Sequence, residues 1–540
     1  MIITTMHYPY RILNSLLGLA LLLSACSSED DLIEERRIDN LPPETTLRGT
    51  PGSADFTKYV AIGNSLTAGL MDAALYNSGQ QSAFPNILAQ QFRAEGVGGG
   101  EFNQPDINAV NGFNTALNDL SNPGQAPFGH YVLNIAASSI EPVTPGDPLT
   151  AYEGDRSALN NFGVPGARVI DATAAGYAQF NPFFARFASS ENASMIGDAT
   201  QAQGTFFSLW LGGNDVLSWA TSGGSAPDGE EDREAQSTNS ATLTNIADFT
   251  QAYQGMITSL LSVPNAKGVA ITIPPVTLLP YFRAVPYNPI PLDQANADAL
   301  NEGYAQYNQG LDAAVQVGQI SAEEAARRKI AFADTSANAI VIVDEDLTTA
   351  DISVALGLPP GTQILPNLRQ TEATDLLVLP LQNLLGEEQT EGAGPYGLQD
   401  PATDEYVLTI NEQGTLITRL ATFNATIAGI VANTGGQVAL VDVNPLFADI
   451  AGLTPEQATQ LGMPSAAAAA DGQIGIRVDG ATLFPTFRPD GIFSVDGIHP
   501  NPKGHALVAK EVVRVINESF GATIPDVDTN PFRTVLTPSM

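Results

Sequence analysis

The stretch Tyr59-Val60-Ala61-Ile62-Gly63-Asn64-Ser65-Leu66-Thr67 decides how the rest of this chain is read. Its first half is apolar, aromatic and β-branched, as a short buried strand should be, and Gly63 ends it abruptly. One serine, Ser65, is thereby delivered to the carboxyl end of a strand. A serine hydroxyl is a poor nucleophile until a base takes its proton, so the reading requires a histidine, a carboxylate to orient it and donors for an oxyanion. Each is available downstream. The histidine and carboxylate lie together in Asp496-Gly497-Ile498-His499-Pro500, where a spacing of three lets one tight turn hold both. Donor candidates lie in Asn161-Phe162-Gly163-Val164-Pro165-Gly166 and in Leu211-Gly212-Gly213-Asn214-Asp215.

These blocks, in this order, resemble the SGNH (GDSL) hydrolases, named for a Ser, a Gly, an Asn and a His in successive blocks; here the four residues are Ser65, Gly166, Asn214 and His499. The resemblance implies a catalytic triad of Ser65, Asp496 and His499. It also implies an oxyanion hole formed by the backbone N–H groups of Ser65 and Gly166 and the side-chain amide of Asn214. Gly163 competes with Gly166 for the second-block role, and Asp215 reads as a structural turn residue. The family's usual Gly-Asp-Ser-Leu is here Gly63-Asn64-Ser65-Leu66, so an amide replaces a carboxylate; it can still bond turn backbone.

The implied activity is ester hydrolysis through an acyl-enzyme. The family includes lipases, aryl esterases and carbohydrate deacetylases, so the motifs leave the ester open between a lipid, a glycan and a small molecule. A carbohydrate O-acetyl esterase and a non-catalytic surface-binding lipoprotein are the alternatives. An α/β-hydrolase would need Gly-x-Ser-x-Gly, and Thr67 stands where its last glycine belongs. With no histidine pair at ligand spacing and no Walker loop, no metal and no cofactor is expected.

Strand and helix patterns alternate, which is the pattern of an α/β sheet wound with crossovers. Strands are expected at Tyr59 to Gly63, Tyr131 to Ile135, Asn160 to Val164, Thr205 to Gly212, Gly268 to Ile273 and Gln437 to Val443. Helices are expected from Ser65 through Ala73 and over Phe84 to Phe92. Further helices are expected through Ile246, Phe249, Tyr253, Ile257 and Leu260, through Tyr304 to Val315, through Leu416 to Ile430, and over Pro502 to Phe520. The resemblance narrows this to a three-layer α/β/α sandwich with a mainly parallel central sheet, flavodoxin-like in type. The hydrolase domain spans 56–522, with an insertion at about 280–435, a loop over the site at 94–128 and a surface-bound or frayed tail at 523–540. Within the insertion, the aliphatic run from Thr374 to Gly386 is open to two readings: core beneath the long helices, or a wall of an acyl pocket.

Of 540 residues, 44% are hydrophobic, so the chain can bury an ample core. Its 23 basic and 58 acidic residues give a formal charge of −35, which excludes nucleic acid and anionic membrane surfaces as partners. The only cysteine, Cys26, forms no intramolecular disulfide. It follows Arg11, an apolar run from Ile12 to Leu23, and Leu23-Ser24-Ala25, which together resemble a bacterial lipoprotein signal with its lipobox. That resemblance implies removal of residues 1–25, lipidation of Cys26 and attachment to the outer membrane, facing the periplasm or exposed at the surface. The stretch 26–55 reads as an acidic, extended tether, and Ser27-Ser28-Glu29-Asp30-Asp31 resembles the surface-export signal of Bacteroidetes lipoproteins.

Overall fold

A computed structural model describes residues 48–137, 139–463 and 472–538. The signal, Cys26 and most of the tether lie outside the described residues. At the end of the expected tether, residues 49–55 are fastened to the body: Gly49 donates its N–H to Glu95 O and Ser53 donates to Phe520 O, both at 2.8 Å.

Five parallel strands form the central sheet: β1 (Tyr59–Gly63), β2 (Asn161–Gly163), β3 (Phe206–Trp210), β4 (Lys267–Ile271) and β5 (Val438–Val441). Their order in space is β2-β1-β3-β4-β5. All five residues of β1 and all five of β3 are buried, which explains their mainly apolar sequences without alternation, Ser208 being the one polar residue and sharing a 2.7 Å hydrogen bond with the Tyr59 hydroxyl. The order reverses between β1 and β3. In an open parallel sheet that reversal leaves a crevice outside the strands' carboxyl ends, where ligands bind. Ser65 follows β1 and Asn214 follows β3, so the fold brings both to that crevice.

The helices that fix the sheet begin with α1 (Ser65–Ala68), α2 (Phe84–Phe92), α3 (Val169–Thr173), α4 (Asn214–Thr221) and α5 (Ile246–Leu260). Three long helices follow: α6 (Gln294–Gln316), α7 (Ile410–Ala432) and α8 (Pro502–Phe520). Of these, α8 packs against α2 and β5, and α7 against α5 and β5, while α5 also meets α3. Helix α8 starts where Asn501 accepts a bond from the N–H of Gly504, and it buries Leu507, Val508, Val512, Ile516 and Phe520. Each such side chain contributes roughly 1.5–3 kcal/mol of burial free energy, so the helix holds the preceding Asp496–His499 turn against the sheet. Helix α7 is long and apolar enough to cross a membrane. Its Leu416, Leu420, Phe423 and Ile427 are buried in the main core, and the Phe423 and Phe249 rings stack at 3.8 Å.

Several expectations are corrected. The helix after Ser65 stops at Ala68 and does not reach Ala73, because Gly69 (φ 82°) turns the chain left-handed. Tyr131–Asn134 is a strand, but it pairs antiparallel with Ser139–Pro142 in a separate hairpin. Of the two readings of the tail beyond residue 523, the described part is surface-bound and not frayed: Ile524 and Val527 are buried, and Leu133 donates its N–H to Leu536 O. The insertion expected within the hydrolase domain packs into the main core. In its aliphatic run Leu376, Leu377, Val378 and Leu381 are at most 5% exposed and line neither cavity at Ser65. The core reading of that segment holds.

Candidate active site

Ser65 stands at the first position of α1, where a backbone N–H has no intrahelical acceptor. The turn is enforced from both sides. A side chain at Gly63 would put its Cβ 2.0 Å from Thr67 Oγ1 and 2.6 Å from Trp210 O, so only glycine lets β1, β3 and α1 approach this closely. Asn64 caps the helix, its Oδ1 accepting from the Leu66 N–H at 3.0 Å. The amide at this position therefore does the backbone bonding that the more usual carboxylate could do.

Ser65, His499 and Asp496 form one hydrogen-bonded chain. Ser65 Oγ lies 2.9 Å from His499 Nε2, and His499 Nδ1 lies 2.9 Å from Asp496 Oδ2. A carboxylate can only accept, so the ring carries its proton on Nδ1, and Nε2 presents a lone pair to the serine hydroxyl. Asp496 Oδ1 also accepts from the N–H groups of Ile498 and His499, both at 2.9 Å. Burial pushes the Asp496 carboxyl up, but the adjacent imidazole and the backbone N–H groups of His499 and Ala73 outweigh it and hold the group at about 2. Asp496 is thus a fixed negative charge suited to stabilising an imidazolium.

The two donor blocks are fastened to each other. Asn214 donates from Nδ2 to Ala167 O at 3.0 Å, and Val169 donates its N–H to Asp215 Oδ2 at 2.9 Å. Gly166 has φ 82° and lines the cleft with Ser65, Asn214 and His499. Gly163, the competing glycine, lies inside β2, where a Cβ would sit 2.3 Å from the Ala68 N; it serves the packing of α1 on the sheet. Asp215 is a clasp, fully buried, and burial raises its carboxyl to about 7 against the opposing pull of the Val169 N–H.

Two cavities meet at the Ser65–His499 pair. One is an open cleft of about 1220 Å³ with a mixed lining, polar at Thr115, Arg168 and Gln236 and apolar or aromatic at Ile170, Tyr177 and Phe180. The other, of about 40 Å³, is walled by Leu66, Trp210, Leu217, Val276, Phe447 and Phe493. The segment expected to loop over the site contributes Thr115, Leu120 and Ser121 to the larger cleft.

A second layer went unread in the sequence. Asp72 accepts from the Val495 N–H and from the Tyr76 hydroxyl, and its own N–H donates to Ser494 Oγ. Arg533, from the docked tail, donates to that same Tyr76 hydroxyl at 3.0 Å. These residues surround the Asp496 turn from distant positions and carry no local motif. The two other histidines among the described residues are structural: His130 stacks on Tyr76 at 4.6 Å, and buried His505 accepts the Phe84 N–H, burial lowering its ring to about 3.

Compared with protein-family models, curated proteins and solved structures, the chain matches none.

Proposed function

We propose that this protein is a serine ester hydrolase of SGNH type, built as a three-layer α/β/α sandwich. The observation that carries the proposal is the continuous Ser65–His499–Asp496 hydrogen-bond chain, with both links at 2.9 Å, at the mouth of a cleft. In the proposed reaction His499 Nε2 takes the Ser65 proton as Oγ attacks the ester carbonyl. The oxyanion is met by the N–H groups of Ser65 and Gly166 and by the Asn214 amide. His499 then protonates the departing alcohol, and water repeats the sequence on the acyl-enzyme. Asp496 holds the ring in the required tautomer and offsets its charge throughout.

The unequal cavities favour a short acyl group on a bulky alcohol, which fits the carbohydrate O-acetyl esterase reading. A water occupies roughly 10–15 Å³ on this scale, so the apolar pocket of about 40 Å³ suits an acetyl-sized group and not a long chain. The larger cleft has room for a bulky alcohol, and its mix of polar side chains (Arg168, Gln236) with aromatic ones (Tyr177, Phe180) suits the hydroxyls and C–H faces of a sugar. Purified protein assayed on p-nitrophenyl acetate, butyrate and octanoate should show kcat/KM falling with chain length, and Ser65→Ala should be inactive with unchanged melting. Rising activity toward octanoate would reject the short-acyl reading. Absence of turnover on every ester, including acetylated oligosaccharides, would leave a binding lipoprotein instead.

We also propose that the protein is carried on the outer membrane by a lipid on Cys26, the expectation from Leu23-Ser24-Ala25-Cys26. Cys26→Ser should release it from the membrane fraction and abolish palmitate labelling.

A further inference from the structure

Glu345, Asp404 and Glu412 converge from three separate elements: the turn after the strand Val341–Val343, the start of a short helical turn, and the first turn of α7. One carboxylate oxygen from each lies within 4.8 Å of the other two. Oxygens bound to one calcium ion at about 2.3–2.6 Å can be no farther apart than about 5 Å, so these three already meet the spacing that a single ion requires.

The cluster also contains an orphaned acceptor. Glu412 is only 8% exposed, and its Oε1 has no hydrogen-bond partner, whereas its Oε2 is used by the Thr409 N–H and hydroxyl. Asp404 Oδ1 is likewise buried and unpartnered. A buried carboxylate oxygen with no donor is costly, and three carboxylates together multiply the cost. Among the described residues no arginine or lysine forms an ion pair with any of the three. The nearby Arg369 is fully engaged by Asp344 and Asp375. Space is left for the carboxylate as well: a Cβ on Gly224 would sit 2.4 Å from Glu412 Oε1.

We propose that Glu345, Asp404 and Glu412 bind one calcium ion. All-oxygen, carboxylate-rich donors select a hard cation, and a site assembled from two turns and a helix end, open to solvent at Glu345, suits the larger and less geometrically demanding ion. The ion would fasten the Asp404 turn to α7. It would also brace the loop after α4, because a Cβ on Gly223 would lie 2.1 Å from Asp404 O.

The test uses the full chain, stripped with EDTA and dialysed into chelator-free buffer at 0.15 M NaCl. Calorimetric titration with CaCl2 should give one ion per chain, and melting should rise by about 2 °C or more, saturably. Glu412→Gln keeps the bonds to Thr409 and should lose the calcium response while melting no lower than the metal-free wild type. Since a buried substitution can impair folding, Glu345→Gln on the exposed side is the second variant and should weaken the calcium midpoint at least about tenfold. Absence of saturable binding overturns the proposal. So does a calcium shift that survives both substitutions, which would report diffuse screening of the acidic surface. An equal response to magnesium at equal concentration overturns the assignment to calcium.

Discussion

Ala73 donates its backbone N–H to Asp496 Oδ2 at 2.8 Å, the same oxygen that His499 Nδ1 reaches at 2.9 Å. The donor is held there by strained backbone, since Asp72 and Ala73 are consecutive non-glycine residues with φ of 54° and 60°. Each costs about 1–2 kcal/mol relative to a right-handed conformation. Strain of this kind persists only where neighbours over-determine it, and here the Asp72 carboxylate is tied to Val495 and Tyr76. Ala73→Gly keeps the N–H and removes the clash, at the cost of greater freedom in the unfolded chain. We expect urea unfolding to show a change between about 0 and +1 kcal/mol in stability, with kcat on a short ester within twofold of wild type. A loss of more than about 1 kcal/mol would mean that the left-handed turn is not a strained element.

Asp496→Asn should cost more than the loss of one charge. An amide at this position can present its NH2 to His499 Nδ1 and so favour the wrong tautomer, and by analogy with serine triads the loss in kcat should be about 10³–10⁴-fold. Stability carries a separate signature. The carboxyl is held at about 2 in the folded protein, below its ordinary 3.8. Its contribution is therefore fully present above about pH 4 and is lost as pH falls toward 2, amounting to about 2 kcal/mol. Denaturation at several pH values should show the wild-type advantage over the variant shrinking in that window. An advantage that stays constant from pH 5 to pH 2 would contradict the depressed carboxyl.

Much of the sheet and the first layer of the site could be read because each rests on local pattern. Tyr59–Gly63 and Phe206–Trp210 are mainly apolar runs ending in glycine-containing turns, and Asp496 and His499 share one turn. What escaped depends on tertiary context. No propensity places Asp72 and Ala73 at positive φ, and Gly69 ends a helix whose apolar pattern runs on. Tyr131–Asn134 has strand composition, yet pairing with Ser139–Pro142 keeps it out of the main sheet. Arg533 reaches Tyr76 from 457 residues away, a contact that neither residue's neighbours announce. Hydrophobic content alone likewise left the Leu376–Leu381 segment open between core and pocket wall; only burial against the insertion's helices and strands decides it.

Asp215 should reveal itself in the opposite pH direction. Burial raises its carboxyl to about 7 from 3.8, so the folded protein keeps a proton that the unfolded chain releases from about pH 4 upward. Stability is then lost as pH rises from about 4 to 7 and levels off above. Asp215→Asn retains an acceptor for the Val169 N–H and abolishes this titration. The variant should gain on wild type by about 2–4 kcal/mol between pH 4 and pH 8, measured by urea unfolding at each pH. Parallel stability curves for the two proteins would show that Asp215 is ionised across the range.

Asn214 and Asp215 are adjacent but should separate cleanly in kinetics. Asp215 bonds backbone away from the reacting atoms, whereas Asn214 lines the cleft beside Ser65, with one amide N–H anchored on Ala167 O. A side-chain amide has two N–H donors, so anchoring one fixes the orientation of the other without consuming it. A pre-oriented neutral donor acts on charge that develops only in the transition state. Removing it should lower kcat and leave KM nearly unchanged. For Asn214→Ala we expect a kcat loss of about 10²–10³-fold, equivalent to about 3–4 kcal/mol. The lost Ala167 bond adds a stability cost of about 1 kcal/mol, which denaturation measures separately. Asp215→Asn, by contrast, should retain kcat within a few-fold at pH 7. If Asn214→Ala instead raises KM while kcat holds, the amide contacts bound substrate and not the oxyanion. If both substitutions depress kcat equally, the clasp between the two blocks, and not a single donor, sets the rate.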